Sequence, residues 1–412
     1  MNDCVVYVFQ SDILECRNNG MEQTGTAYEW EGENVVHLRL HRAHHAFGSA
    51  SPCLFTTQRQ EFDGWQVVVG RDTVMVLHDG APVDINFIPS EDELHSRSKG
   101  ILEVDILKDK HVAIIGLGSF GSQIAIELAK AGVGEFSLFD FDRVEIHNLA
   151  RHTCVLQDLG RLKTDAISDA ITGKNPYATV HRYPIDINDD VETLSSVIAQ
   201  CDLVICATDN NRSRYTLAEQ LHLHNKVCIY GRAITRAEGG DVFISRPDEA
   251  CYCCLVGNDW FGQQNEEITN EESSRRNGTI AAYVSPEDAD AMVQVGLSSD
   301  IAPICNMMVK LALVELSRGK HSGISCLEDE LVYNYYMWAN RRERKYSNWH
   351  AMPGAGPYPT IMRWYGSHLK RQDDCAICSK DVHLDMGEQF EQQLSDTDTS
   401  DINIDDLIKE YT

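Results

Sequence analysis

The chain has 412 residues, with 63 acidic against 36 lysine and arginine side chains, for a formal net charge of −27. That balance argues against a nucleic-acid or anionic-membrane partner, both being polyanions. A hydrophobic content of 43% without an apolar run long enough to cross a bilayer indicates a soluble protein of two or more domains. Fourteen cysteines, and a start (MNDCVVYVFQSD) with no basic, apolar leader, point to a cytoplasmic chain whose thiols are reduced or bind metal.

In chain order, residues 1–95 read as a small β-rich accessory domain. Short apolar runs (Val5–Phe9, Val35–Leu40, Trp65–Val69, Thr73–Leu77) alternate with the turn signals Asn19-Gly20, Asp63-Gly64 and Asp79-Gly80. The polar stretch PSEDELHSRSKG reads as the linker into a second domain, residues 96–380. That domain opens with the run Val112–Ile115, a Gly-x-Gly-x-x-Gly turn (Gly116, Gly118, Gly121), a helical pattern, and a second apolar run ending at Asp140. This is the strand–turn–helix–strand order of a Rossmann unit. Its glycines let the backbone approach a phosphate, and its helix N-terminus offers N–H groups to that phosphate. Further strand-like runs (Phe136–Phe139, Thr179–Tyr183, Leu203–Cys206, Val227–Tyr230, Asp241–Ile244) lie between helical patterns. The expected fold is therefore α/β, a Rossmann-like, mostly parallel sheet with flanking helices. Residues 257–299 form an acidic stretch that reads as a lid or a solvated linker. A helix follows from about Ser299 to Gly319, then a late strand within Leu331–Trp338. The tail, 381–412, is acidic and reads as disordered, its Ile402, Ile404, Leu407 and Ile408 alternatively serving as a docking segment.

Beyond the glycine turn come DFDRVEIHNLARH (140–152), GRLKTD (160–165), CATDNNRSR (206–214) and two Cys-x-x-Cys pairs, Cys251/Cys254 and Cys375/Cys378. A generic dehydrogenase needs the glycines and one ribose-binding acid but none of the rest. Residue by residue, blander roles exist: Asp140 as a turn carboxylate, Lys163 as a solvated lysine, Asp209 as a helix cap. Their joint occurrence in this order is the specific signal. The paired cysteines suit a structural zinc site, four thiolates closing a tetrahedron, with a redox pair or buried thiols as the alternatives.

On these motifs residues 105–380, about two thirds of the chain, resemble the ThiF/MoeB family of adenylating enzymes related to ubiquitin-activating enzymes. The resemblance implies ATP-dependent adenylation of the C-terminal carboxylate of a small ubiquitin-like or carrier protein ending in glycine, with magnesium (Mg2+) and a structural zinc (Zn2+). A homodimer is implied too, with a conjugating enzyme as a further partner. The ATP-binding glycines fall on Gly116, Gly118 and Gly121, and the ribose acid on Asp140, with Asp142 two residues on. Phosphate contacts fall on Asn148, Arg151 and Lys163, and the magnesium aspartate on Asp209. RAITRAEGGDVFI matches a further family stretch. Physical logic agrees: Arg151 and Lys163 would neutralise the phosphate oxygens where charge builds up, and Asp209 offers magnesium the oxygen ligand it prefers.

Departures from the pattern matter. Ser119 replaces a glycine, His152 stands where a glutamine often follows the arginine, and the partner-donated arginine has only Arg97 as a stand-in. Relatives that form a thioester carry a cysteine after the first zinc pair, whereas Leu255 to Ile304 has none. Cys305 lies in an apolar helical pattern and reads as a core thiol. The placement of region 1–95 before such a domain resembles that of JAB-type metalloproteases in fusions. Glu22 could serve one, but His37, His41, His44 and His45 form no His-x-His, so a degenerate, non-catalytic domain is expected. The rival functions are a sulfur-carrier or peptide-tailoring adenylyltransferase, an NAD-dependent Rossmann oxidoreductase, and a non-catalytic scaffold.

Overall fold

The computed structural model describes residues 4–30, 32–40, 49–89, 91–233, 237–257, 296–341 and 361–379. The expected tail, nearly all of the expected lid, and His41, His44 and His45 lie outside the described residues.

The first eight strands form one sheet: β1 (Val5–Phe9), β2 (Gln23–Trp30), β3 (Val35–Arg39), β4 (Ser49–Thr56), β5 (Trp65–Val69), β6 (Val74–His78), β7 (Ala81–Val83) and β8 (Ile85–Ile88). Their order is β7-β6-β5-β4-β2-β3-β1-β8. The two edge strands, β7 and β8, are separated in sequence by Asp84 alone, so the sheet must curl until its edges meet. Helix α1 (Gln10–Asn19) packs on β1 and β5. Asn19-Gly20, a turn signal in the sequence, is this helix's end, with Gly20 the left-handed cap at φ +64°. Asp79-Gly80 does turn the β6–β7 hairpin, both residues at positive φ as a two-residue type I′ loop requires.

The polar linker is helical in part: α2 (Glu91–Leu94) and α3 (Val104–Leu107) lead into the second sheet. That sheet comprises β9 (His111–Ile115), β10 (Glu135–Phe139), β11 (Thr179–Tyr183), β12 (Leu203–Cys206), β13 (Cys228–Ala233), β14 (Gly239–Ser245), β15 (Tyr335–Ala339) and β16 (Arg363–Ser367), in the order β11-β10-β9-β12-β13-β14-β15-β16. The expectation of a mostly parallel sheet needs correction, because the sheet is mixed. Pairing is parallel from β11 to β13 and antiparallel from β13 to β16. The five residues between β13 and β14 are too few for a crossover helix, so the chain turns back on itself.

Helices α4 (Ser119–Ala131), α5 (Lys163–Lys174) and the long α9 (Ser298–Ser317) cover one face of this sheet, and α6 (Val191–Gln200), α7 (Asn211–His224) and α8 (Tyr252–Val256) the other. A short helix, α10 (Leu327–Glu330), precedes β15. Each face has its own buried apolar cluster. Helix α9 lies close over β13 and β14: a Cβ on Gly231 would meet Met308 Sδ at 2.2 Å, and one on Gly240 would meet Ile304 Cδ1 at 2.2 Å. Cys305, on the same helix, is 2% exposed, and burial pushes its thiol up to about 12. It is a core residue, as its apolar pattern suggests. Among the described residues no helix is long and apolar enough to cross a membrane.

Candidate active site: a crevice at the ends of β9, β10 and β12

Strand β9 sits between β10 and β12, and the chain leaves β9 toward β10 on one side while returning to β12 on the other. This is a topological switch point, where the C-terminal strand ends open a crevice. Two of the three motif glycines are required by the fold around it. Gly116 has φ +87°, and a Cβ there would lie 2.9 Å from Ala207 O; a Cβ on Gly121 would lie 1.9 Å from Gly116 O. Gly118 differs. Its φ is −72°, and a Cβ would meet nothing within 4 Å. The fold therefore tolerates a side chain at this position. The N-cap of α4, Gly118, has no side chain to offer the first turn, which starts at Ser119. Its N–H groups and dipole therefore favour an anion.

Asp140 ends β10, and its side chain is only 9% exposed. Its carboxylate accepts the Leu117 N–H (2.7 Å) and the Asp142 N–H (2.8 Å), fixing the glycine turn from below. Burial raises its pKa, opposed chiefly by Lys163. Lys163, first residue of α5, is buried with its Nζ 3.8 Å from Asp140 and 2.6 Å from Asp142 Oδ2, to which it donates a hydrogen bond. Burial alone would lower the lysine's pKa, but the Asp140 and Asp142 charges outweigh it and hold the ammonium above its usual value; Asp209 adds to that field. Asp142 is half exposed at 51%, so of the two acids it is the one open to a ligand.

Asn148 closes a short 3-10 turn (Ile146–Asn148), and its side-chain oxygen accepts the Glu145 N–H at 2.9 Å. The Asn148 carbonyl accepts the N–H groups of Arg151 and His152, both at 2.9 Å. Arg151 is partly buried, and burial lowers its pKa from the ordinary arginine value. Gln123 on α4 donates its amide to the Arg151 carbonyl at 3.2 Å. Across the crevice, Asp209 is exposed in the turn after β12. That turn is held from behind by a hydrogen-bonded chain. Arg214 donates to Thr208 O (2.6 Å) and to Asn211 Oδ1 (3.4 Å), and the Tyr252 hydroxyl donates to the same Asn211 oxygen at 2.6 Å.

Tyr252 leads to the second centre, since it lies between Cys251 and Cys254. These two cysteines meet Cys375 and Cys378, the four sulfurs lying within 4.8 Å of one another and all buried. Sulfur–sulfur separations are 3.8 Å (Cys251–Cys254), 3.4 Å (Cys251–Cys375) and 3.4 Å (Cys254–Cys378). A tetrahedron of thiolates at a Zn–S distance of about 2.3 Å has edges of roughly 3.8 Å, whereas a disulfide would need about 2.05 Å. None of the fourteen cysteines is in a disulfide. The donor set therefore fits a closed structural zinc site. The backbone N–H of Gln372 donates to Cys254 Sγ at 3.4 Å, which would orient that ligand. Cys253, also buried, faces the Gly257 carbonyl at 3.6 Å and is not one of the four.

The model of the ThiF family matches residues 96–340, more than half of the chain and every crevice residue described above. The chain belongs to the ThiF family. Among curated proteins it is 36% identical over 152 residues to the molybdopterin-synthase adenylyltransferase of Salmonella typhimurium, covering 37% of this chain and 60% of that one. It is also 28% identical over 163 residues to ubiquitin-like modifier-activating enzyme 5 of Caenorhabditis elegans, covering 37% of this chain and 39% of that one. The ThiF-family chain thus spans about 60% of the length of the first relatives it matches. A solved structure of Escherichia coli MccB with MccA-N7isoASN aligns at 18% identity and a TM-score of 0.48, covering 67% of this chain and 69% of that one.

The structure brings Asp140, Asp142 and Lys163 together and sets Gly116, Gly118 and Gly121 beside them. It places Arg151 and Asn148 on one flank and Asp209 on the other. Two residues given no role by the sequence hold this arrangement: His152, marked there only as a departure from the family pattern, and Tyr252, whose one signal is its place between two zinc-pair cysteines.

Proposed function

We propose that this ThiF-family protein is an ATP-dependent adenylyltransferase acting in the cytoplasm on the C-terminal carboxylate of a small ubiquitin-like protein. The observation that carries the reading is Lys163, a buried ammonium held at the mouth of a bare glycine turn by two carboxylates. A dehydrogenase has no use for a cation there, whereas a triphosphate does.

In this reading the ATP phosphates lie over Gly118 and the first turn of α4, and the ribose hydroxyls go to the exposed Asp142 rather than to the buried Asp140 on which the resemblance puts the ribose acid. Lys163 exchanges Asp142 for phosphate oxygens. One oxygen of the carrier's carboxylate attacks the α-phosphorus, the bond from that phosphorus to the bridging oxygen breaks, and pyrophosphate departs. Arg151 and Lys163 neutralise the oxygens on which charge accumulates. Asp209, exposed on the other flank, offers a carboxylate to magnesium, which screens the phosphate charges when bound. Four cysteine thiolates hold zinc as a structural brace. A peptide or sulfur-carrier substrate would use the same residues, and similarity to a molybdopterin-synthase adenylyltransferase supports that second reading.

Exposed apolar side chains support a homodimer. Phe141 (58%), Ile146 (67%), Val155 (55%) and Leu156 (64%) come from a single segment beside the crevice. Its two arms lie side by side, the Val144 N–H reaching Arg161 O and the Gly160 N–H reaching Val144 O, both at 2.9 Å. A second copy of this chain is the occupant proposed for this face.

Separate calorimetric titrations with MgATP and NADH test the nucleotide assignment. Saturable ATP binding that weakens in Asp209→Asn is expected. Tight NADH binding without ATP binding would overturn the assignment in favour of an oxidoreductase.

A further inference from the structure

The His152 imidazole lies between two main-chain groups of opposite character. Its Nε2 meets the Leu117 carbonyl, within the glycine turn, and its Nδ1 meets the Cys154 N–H at 3.1 Å. A carbonyl can only accept and an N–H can only donate, so Nε2 carries the proton and Nδ1 does not. Burial holds the ring's pKa down to about 4; the Leu117 bond and Asp158 pull the other way, and Lys163 adds to the burial. The ring is therefore neutral, in one tautomer, at any ordinary working pH.

The peptide it grips is the one the nucleotide site needs held still. The Leu117 N–H is already bonded to Asp140 Oδ2 at 2.7 Å, so Asp140 and His152 clamp both sides of this residue. The same ring belongs to the residue after Arg151, whose carbonyl is in turn tied to α4 by Gln123 at 3.2 Å. The glycine turn and the arginine segment are thus pinned together at two successive residues, although about thirty positions separate them in sequence.

We propose that His152 is a positioning residue: its neutral ring locks the Leu117 carbonyl to the segment bearing Arg151, so that turn and guanidinium meet a triphosphate in one geometry. The proposal rests on the nucleotide assignment above and not on the identity of the protein substrate. It acts through the phosphates, and adenosine, which lacks them, must be indifferent to it. A residue that merely held the fold would affect both ligands alike.

The test is calorimetric titration of the full chain with MgATP and with adenosine, for wild type, His152→Ala and His152→Gln. In His152→Ala, ATP binding should weaken about tenfold, the equivalent of one lost hydrogen bond, with adenosine affinity unchanged. His152→Gln keeps an amide N–H that can reach the Leu117 carbonyl and should stay within about threefold of wild type. Equal loss for both ligands, an unaffected His152→Ala, or a glutamine variant as weak as alanine would each overturn the proposal. Wild type failing to bind ATP would sink the adenylation reading first, a result distinct from these. If His152→Ala does not fold, nitrogen-15 NMR of the wild-type ring decides. Protonated Nε2 with bare Nδ1 is expected at neutral pH, and the opposite tautomer or a charged ring would refute the clamp.

Discussion

Replacing Lys163 with alanine tests electrostatics and function in one variant. The ammonium lies 3.8 Å from a buried Asp140 carboxylate and 2.6 Å from a half-exposed Asp142. At an effective dielectric of about 20, unit charges at the first distance attract by about 4 kcal/mol. The exposed second pair adds less than about 1 kcal/mol. Desolvation of the lysine itself is recovered on its removal, so a net loss of about 3 kcal/mol is expected, in the range for breaking a buried pair. The loss should depend on pH, and its sign follows from Asp140. Burial already raises that carboxyl's folded pKa, with Lys163 the main opposing influence. Without Lys163 the pKa rises further. A carboxyl with a raised folded pKa costs stability once it must ionise, a cost that is full above the folded value and is lost progressively as pH falls from there toward the unfolded value. Differential scanning calorimetry should therefore show a larger deficit near pH 7.5 than near about pH 4.5. Adenylation should fall by about 100-fold or more, as when one preorganised donor to a developing charge is lost. An equal deficit at both pH values, with adenylation within a few-fold of wild type, would refute both the pairing and the role.

Other outcomes follow from single observations. Gly118→Ala should leave the melting temperature within about 2 °C of wild type, because its Cβ meets nothing, yet weaken ATP binding; Gly121→Ala, whose Cβ would strike Gly116 O, should unfold the domain. Thermal melting and ATP titration of the pair check this, and a stable Gly118→Ala with full affinity would contradict the phosphate position. Cys375→Ser should lower bound zinc from one per chain toward zero, measured by atomic absorption, and destabilise the fold; retained zinc would point to another ligand set. Ile146→Asp combined with Leu156→Asp should convert a dimer to a monomer in sedimentation velocity, while a monomeric wild type would remove the second copy proposed for that face.

Much of the crevice was legible in the sequence because its parts are local. A glycine turn between strand and helix, and acids at strand ends, are positions that alternation and spacing reveal. The cysteine pairs were legible for the same reason, each pair being a local spacing. What could not be read depends on long-range register. Helix α1 (Gln10–Asn19) lacks a clear apolar stripe and buries Asp12 with Ile13 and Cys16, so its Asn19-Gly20 cap looked like a hairpin turn. The reversal at β13–β14 depends on how few residues join two apolar runs, which composition does not show. The division of labour between Asp140 and Asp142 is likewise tertiary. Only the position of the Leu117 amide makes the first a structural acceptor and leaves the second exposed.

Carrier-dependent ATP–pyrophosphate exchange, run with a panel of small β-grasp proteins ending in glycine, bears most directly on catalysis in this crevice. Exchange with at least one carrier is expected for the wild type, abolished when that carrier's last residue is amidated and reduced to background in Asp209→Ala. Equal, background exchange in wild type and Asp209→Ala with every carrier would contradict it and leave a nucleotide-binding scaffold.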